Sequence, residues 1–278
     1  MSAAENKEVQ AVNPRPLLAF LSATPIAVLG GLIGLGGAEF RLPVLAGLLQ
    51  YPARQAVPLN LAVSLITVLA SLTIRSQTMN SHPLVPLLPA IASLIFGAGI
   101  TAFLGTALAG RLSNAQLERV ILVLLVGIGT ALIIEGFLPF RAVGFLPDSL
   151  AVWIVAGILF GLGIGLVSSL LGVAGGELII PTLVFMFGAD VKTAGTASLL
   201  VSLPTVMIGI VRYSQRRDYS HRADITGTVG PMSVGSVIGA LIGGLLVGVV
   251  PQSVLKVALG FILIVSAIRI FRNVRRDA

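Results

Sequence analysis

Glu39 and Glu177 are two of only six glutamates in the chain, and both interrupt long apolar runs at glycine pairs. The motifs are Gly36-Gly37-Ala38-Glu39 and Gly175-Gly176-Glu177. Ionisable groups at membrane depth are costly and are functional candidates by default. An ionised carboxyl repels an anion and a protonated one does not, so the pair could couple anion movement to protons. Equally, each carboxyl could accept backbone N–H bonds and only hold its break in shape. Glycine leaves backbone N–H groups uncovered, and such groups at a half-helix N-terminus attract anions. The N–H groups of Gly36, Gly37, Gly175 and Gly176 are thus candidate anion ligands, the alternative being a kink with close helix packing. Pro43 and Pro181 fall where a new half-helix can begin.

Arg41 follows Glu39 by two residues. It could grip anion oxygens bidentately, pair with Glu39, or snorkel to the interface. Downstream stand Asn60, Ser64 and Thr67, and again Ser198, Ser202 and Thr205. The i, i+4, i+7 spacing puts each trio on one helical face. Such a face either lines a cavity or bonds a neighbouring helix. Arg54 and Lys192 precede these helices at matching places, as interface anchors or as attractors at an entrance. The histidines, His82 and His221, read as ordinary loop residues.

These residues recur because the chain repeats itself. Gly34–Pro43 returns as Gly172–Pro181, an offset of 138. Held over 34–68, that offset matches 12 of 35 positions, including Gly34, Gly37, Glu39, Pro43, Ser64 and Thr67. Paired Gly/Pro interruptions in two halves are a pointer to a transport site. The units are read as 17–140 and 150–271, with a polar N-terminus over 1–16, a connecting loop at 141–149 and a basic tail at 272–278.

Hydrophobic residues make up 56% of the chain and charged residues 10%. Uncharged runs cover 16–38, 55–74, 76–110, 120–134, 149–176, 193–211 and 225–255. Most exceed the ~18 residues that mark a membrane-crossing helix. They are continuously apolar, without the alternation of a membrane β-barrel. The fold class is therefore an all-α polytopic membrane protein, and the first run is a retained helix rather than a signal peptide. Each unit reads as four spanning helices plus one short apolar piece, Leu42–Leu49 or Leu178–Phe187.

If the short pieces re-enter, eight helices span and the halves run parallel. If they cross, ten segments span as inverted five-helix repeats. The Arg-rich loop (Arg212, Arg216, Arg217, Arg222) and tail (Arg269, Arg272, Arg275, Arg276) belong in the cytoplasm, with both termini. Charge counting puts 12 of the 18 Lys/Arg inside with eight spans and 13 with ten, and so does not separate them. The shortness of the pieces favours eight.

The net charge of +7 gathers at helix ends, which suits anionic lipid headgroups rather than nucleic acid. No cysteine, P-loop, nucleophile–base pair or metal-ligand cluster is present in the sequence, so neither an enzyme nor a cofactor is expected. Self-association is compatible with such a chain.

With these motifs in view, the chain resembles the sulfite exporter family of the TauE/SafE type. The matching stretches are Gly34–Pro43 with the helix to Ile74, and Gly172–Pro181 with the helix to Val211. The resemblance implies a permease of the cell membrane that exports sulfite, an organosulfonate or another small anion. Two departures from the family pattern bear on substrate choice: Ala38-Glu39-Phe40-Arg41 in the first motif and Ala174 in the second. The expected substrate site combines Gly36, Gly37, Glu39, Arg41, Asn60 and Ser64 with Gly175, Gly176, Glu177, Ser198 and Ser202. A proton-coupled carrier of a carboxylate or other non-sulfur anion is the alternative within transport. A non-transporting membrane scaffold is the alternative outside it.

Overall fold

The computed structural model describes residues 13–78, 82–109, 144–216 and 222–246, together with Tyr219 and isolated positions within 119–137 and 251–264. Glu135, Arg141, Arg217, His221 and the arginines of the tail lie outside the described residues. Among the described residues every regular element is helical. Six of the described helices are long and apolar enough to cross a membrane.

The first half runs α1 (Pro16–Ile33), α2 (Ala38–Pro43) continued by a wider turn at Val44–Leu48, α3 (Ala53–Thr78), and α4 (Leu88–Ala109). The second runs α5 (Leu150–Leu171), α6 (Gly176–Pro181) with a wider turn at Thr182–Met186, α7 (Val191–Gln215), and α8 (Gly230–Leu246). α1 stops because Gly34 turns left-handed at φ 92° and returns its N–H to the Gly30 carbonyl. α5 stops in the same way at Gly172, φ 63°. α7 starts at a true cap: the Asp190 carboxylate accepts from the N–H groups of Lys192 and Thr193 at 3.0 and 3.1 Å.

The short pieces differ from expectation in where they begin. They are already helical at Ala38 and Gly176, so Pro43 and Pro181 end an α-turn instead of opening one. The reason is local. Proline has no N–H to return to the carbonyl four residues back, at Glu39 or Glu177, and the helix widens into a π-turn after it.

Contacts along the helices give their relative directions. A Cβ on Gly235, Gly239 or Gly243 would meet Phe20, Thr24 and Val28 carbonyls in turn, so α8 runs parallel to α1. Gly97 meets Ile158 and Gly165 meets Ala98 and Thr101, so α4 runs parallel to α5. Gly209 sits on Leu61, whereas Arg75 reaches Lys192 and Thr196, so α3 and α7 are antiparallel. Gly99 on Ile208 and Arg212 over the Phe103 ring make α4 and α7 parallel. Tyr51 on Thr228 and Ile74 on Gly244 make α3 and α8 parallel. Thus α1, α3 and α8 run one way, and α4, α5 and α7 run the other.

The halves therefore interlock crosswise, the first helix of each packing on the last described long helix of the other. Small residues every four positions make this possible: Ala19, Ala23 and Ala27 against Gly235, Gly239 and Gly243, and Ser93 and Gly97 against Gly157, Gly161 and Gly165. Gly161→Leu would drive its side chain into the Leu94 carbonyl, 2.5 Å from the new Cβ. It should destabilise the detergent-solubilised protein by about 1–3 kcal/mol or more, as overpacking does. Gly163→Ala points into open space and should leave the unfolding temperature unchanged in the same melt.

Candidate functional site

The two breaks meet each other inside the protein. A Cβ on Gly176 would lie 3.1 Å from Leu35 Cα, and one on Gly36 would touch Val68 and Ala174. Gly37 and Gly175 are left-handed at φ 71° and 79°, which lets each short helix turn back beside the helix it left. No protein acceptor takes the N–H of Gly36, Gly37 or Gly175 among the described residues.

The polar faces of α3 and α7 tie the breaks together across the halves. Asn60 Nδ2 donates to the Ala38 carbonyl of its own half and to the Gly172 carbonyl of the other, both at 2.9 Å. Ser198 Oγ donates to the Gly34 carbonyl at 2.6 Å. Residues at matching positions thus satisfy matching helix-end carbonyls that the left-handed glycines leave exposed. At the same C-terminal end of α1 the last helical carbonyls fall to Arg75. Its guanidinium donates to the Gly31 and Leu32 carbonyls at 3.1 and 3.3 Å, where the helix dipole is negative.

Arg41 is the centre of the arrangement. It is fully buried, at 0% exposure, so it does not snorkel. Nη1 donates to the Gly36 carbonyl at 3.0 Å, to Thr67 Oγ1 at 3.1 Å and to Ser236 Oγ at 3.4 Å. Nη2 donates to Ser64 Oγ at 2.9 Å and Nε to Asn60 Oδ1 at 3.4 Å. All these acceptors are neutral. Glu39 lies within electrostatic reach but is not hydrogen-bonded to the guanidinium. The trio Asn60, Ser64 and Thr67 forms the cradle for this cation.

In the second half Ile179 stands where Arg41 does, and Ser202 Oγ is buried without a partner. Thr205 bonds only the Val201 carbonyl of its own helix. The two half-sites are chemically unequal.

Glu39 and Glu177 are each 1% exposed, and the two carboxyls adjoin one another. No donor meets full hydrogen-bond geometry on their four oxygens, although the Glu177 carboxyl lies close to both Glu39 and its own backbone N–H. The structure brings together Gly36, Gly37, Glu39, Arg41, Asn60 and Ser64 with Gly175, Gly176 and Glu177, and links Ser198 through Gly34. Arg54 and Lys192 stay exposed at helix starts.

Two residues here escaped the sequence reading. Ser236 matches Ala98 at the repeat offset, so no doubling marked it. In the sequence Arg75 is one more basic residue at the end of an apolar run, with nothing to name its partner. Its signal was an arginine in the last turn of an apolar helix.

Both ends of the site are tied shut by polar contacts between the halves. At one end Tyr51 Oη bonds Asp224 and Thr228 at 3.0 and 2.8 Å, and Tyr219 Oη donates to the Pro58 carbonyl at 3.0 Å. At the other, Arg75 donates to the Lys192 carbonyl at 3.3 Å and to Thr196 Oγ1 at 3.1 Å.

Compared with known proteins, the chain matches a family model described as sulfite exporter TauE/SafE over residues 2–132 and 156–278. A protein named as a probable membrane transporter protein, from Methanocaldococcus jannaschii, is 33% identical over 116 residues. That alignment covers 40% of this chain and 42% of the archaeal protein, less than half of either.

Proposed function

This chain belongs to the sulfite exporter TauE/SafE family, and from that membership we propose that it carries a small oxyanion across the cell membrane as a secondary transporter. Sulfite or an organosulfonate is the first candidate. The observation that carries this reading is Arg41, a buried cation held only by neutral groups from both halves. A charge in such a place favours a counter-ion strongly, because little water is present to screen it. The hydroxyls of Ser64 and Thr67 now donate to the Asn60 and Val63 carbonyls and could redirect that proton, with Ser236, toward an oxyanion on the guanidinium. The uncovered N–H groups of Gly36, Gly37 and Gly175 lie in the adjoining break.

Transport would proceed by alternating access, one end contact opening while the other holds. The two halves, 17–140 and 150–271, are taken as inverted repeats of five segments, ten spans in all. The opposed directions of α1 and α5, of α3 and α7, and of α4 and α8 support this over eight parallel spans. So does charge: Arg54, Arg212, Arg216 and Arg222 lie at the Tyr51 end, whereas Arg75 and Lys192 lie at the other. The Tyr51 end is then cytoplasmic, with the termini, and His82 faces the opposite side.

Purified protein in liposomes should move labelled sulfite or a sulfonate down its gradient. Gly37→Leu should abolish that flux, since a side chain there meets Ile26 at 3.0 Å on a left-handed backbone. Flux of carboxylates alone would reassign the substrate class. No flux of any anion from the wild type would refute transport and favour a scaffold.

A further inference from the structure

A polar stripe on α3 continues past the Arg41 cradle. Asn60, Ser64, Thr67, Ser71 and Arg75 fall within roughly 80° of the helix circumference at 3.6 residues per turn. All five are buried, none more than 2% exposed. The first three hold Arg41. Ser71 lies one turn further on, about 6 Å along the axis from Thr67 and about 6 Å from Arg75. The hydroxyls of Ser64, Thr67, Thr73, Ser76 and Thr78 all donate to carbonyls of their own helix. Ser71 Oγ, the remaining hydroxyl of α3, has no partner among the described residues. A buried hydroxyl without a partner is costly and calls for an explanation. Beyond it the Arg75 guanidinium has two arms. Nη2 donates to the Gly31 and Leu32 carbonyls of its own half, and Nη1 to the Lys192 carbonyl and Thr196 Oγ1 of the other. Thr196 Oγ1 itself donates to the Lys192 carbonyl at 3.2 Å, so that carbonyl keeps a partner when Nη1 leaves. Gly209 and Tyr213 stand at the matching places of the second half, so this stretch of the stripe, like Arg41, belongs to the first half alone.

We propose that Ser71 and the Nη1 arm of Arg75 form a second station for the transported oxyanion, and that its arrival there releases the other half. This rests on the anion-transport reading, because the anion comes from Arg41. An oxyanion leaving Arg41 toward the Arg75 end meets Ser71 as its first uncommitted donor. One turn later it meets a second guanidinium, which bonds an anionic acceptor more strongly than a neutral one. Nη1 turns from Lys192 and Thr196 to the anion, while Nη2 stays on the end of α1. The contact that closes the Arg75 end thus opens on the arrival of the substrate.

Ser71→Ala is the decisive variant, because it removes a hydroxyl that bonds nothing. It should melt in detergent at or slightly above the wild-type temperature, and sulfite should raise that temperature as in the wild type. Sulfite flux in liposomes should nonetheless fall about tenfold, the worth of one hydrogen bond to a charged group. Thr73→Ala, on an exposed face of the same helix, should transport normally. Wild-type flux in Ser71→Ala overturns the station. Arg75→Gln should also lose flux while sulfite still stabilises it. A flux raised by loosening that end would make Arg75 a latch alone and overturn the proposal. The chain contains no cysteine, so Ser71→Cys introduces a single thiol. A sulfonate-bearing methanethiosulfonate should modify it faster than a trimethylammonium one, each scaled to its rate with a free thiol, and methanesulfonate should slow the reaction. No preference for the anionic reagent overturns the station. A wild type that moves no sulfite, with that preference intact, rejects the transport reading and leaves the anion path to Ser71 standing.

Discussion

Arg41→Gln should lower sulfite affinity and flux by about 100-fold or more. Hydrogen bonds to a charged group are worth roughly 1.5–3 kcal/mol each, and about 1.4 kcal/mol is tenfold in affinity. An oxyanion held by two N–H groups of the guanidinium loses both. Arg41→Lys keeps the charge but not the planar fork, so it should fall between the two. The fold should survive the glutamine. Ser64 and Thr67 already donate to the Asn60 and Val63 carbonyls of their own helix, at 2.7 and 2.8 Å, and keep those bonds without arginine. The second half shows the threonine part of this arrangement natively: with Ile179 in place of arginine, Thr205 stays bonded to Val201, while Ser202 Oγ has no partner. Thermal-shift titration with sulfite separates the effects: a folded Arg41→Gln protein should unfold at an ordinary temperature that sulfite no longer raises. Undiminished stabilisation by sulfite in that variant would remove Arg41 from the site. Arg54→Gln, at an exposed helix start, is the control expected to bind normally.

The difference between the two halves also marks how far sequence could lead. Glycine, proline and glutamate are conspicuous in apolar runs, so the breaks and the two polar trios were visible as residue types. Their spacing placed each trio on one face correctly, because α3 and α7 are continuous helices through those positions. What the trios bind was not visible. Asn60 reaches Gly172 and Ser198 reaches Gly34 across more than 100 residues, and no local pattern encodes that pairing. Four-residue spacings such as Gly157, Gly161 and Gly165 announce a close helix contact but not its partner. The crosswise pairing of α1 with α8 and of α4 with α5 had to come from three dimensions. Span count turns on direction rather than length. The short helical pieces, Ala38–Leu48 and Gly176–Met186, stay well short of a full crossing even when their π-turns are included. The proposed ten spans rest instead on α1 and α3 running the same way, which no apolar length reveals.

Gly34→Ala should cost several kcal/mol of stability, about 2–5 in all, for a single added methyl group. The residue sits at φ 92°, where an L-side chain loses roughly 1–2 kcal/mol. Its new Cβ would lie 2.5 Å from the Gly195 carbonyl oxygen and 2.7 Å from Gly195 Cα, which are backbone atoms with no rotamer to yield. Overpacking of that kind costs a further 1–3 kcal/mol or so, and the shift would also pull Ser198 from the Gly34 carbonyl. Gly172→Ala meets the same two penalties against Val57, with its Cβ 2.7 Å from that carbonyl, on a backbone at φ 63°. The two variants should therefore behave alike, each losing most of the monodisperse protein on size exclusion and melting far below the wild type. Gly47→Ala, with open space around it, should match the wild type in both assays. This equivalence is informative because the anion chemistry is unequal. If stability depends on the breaks and substrate binding on Arg41, then Gly34 and Gly172 should be interchangeable in their effect on folding. Arg41 and Ile179 should not be interchangeable in their effect on binding. A Gly34→Ala protein that melts within a couple of degrees of the wild type would show that the two halves do not hold one another at the breaks.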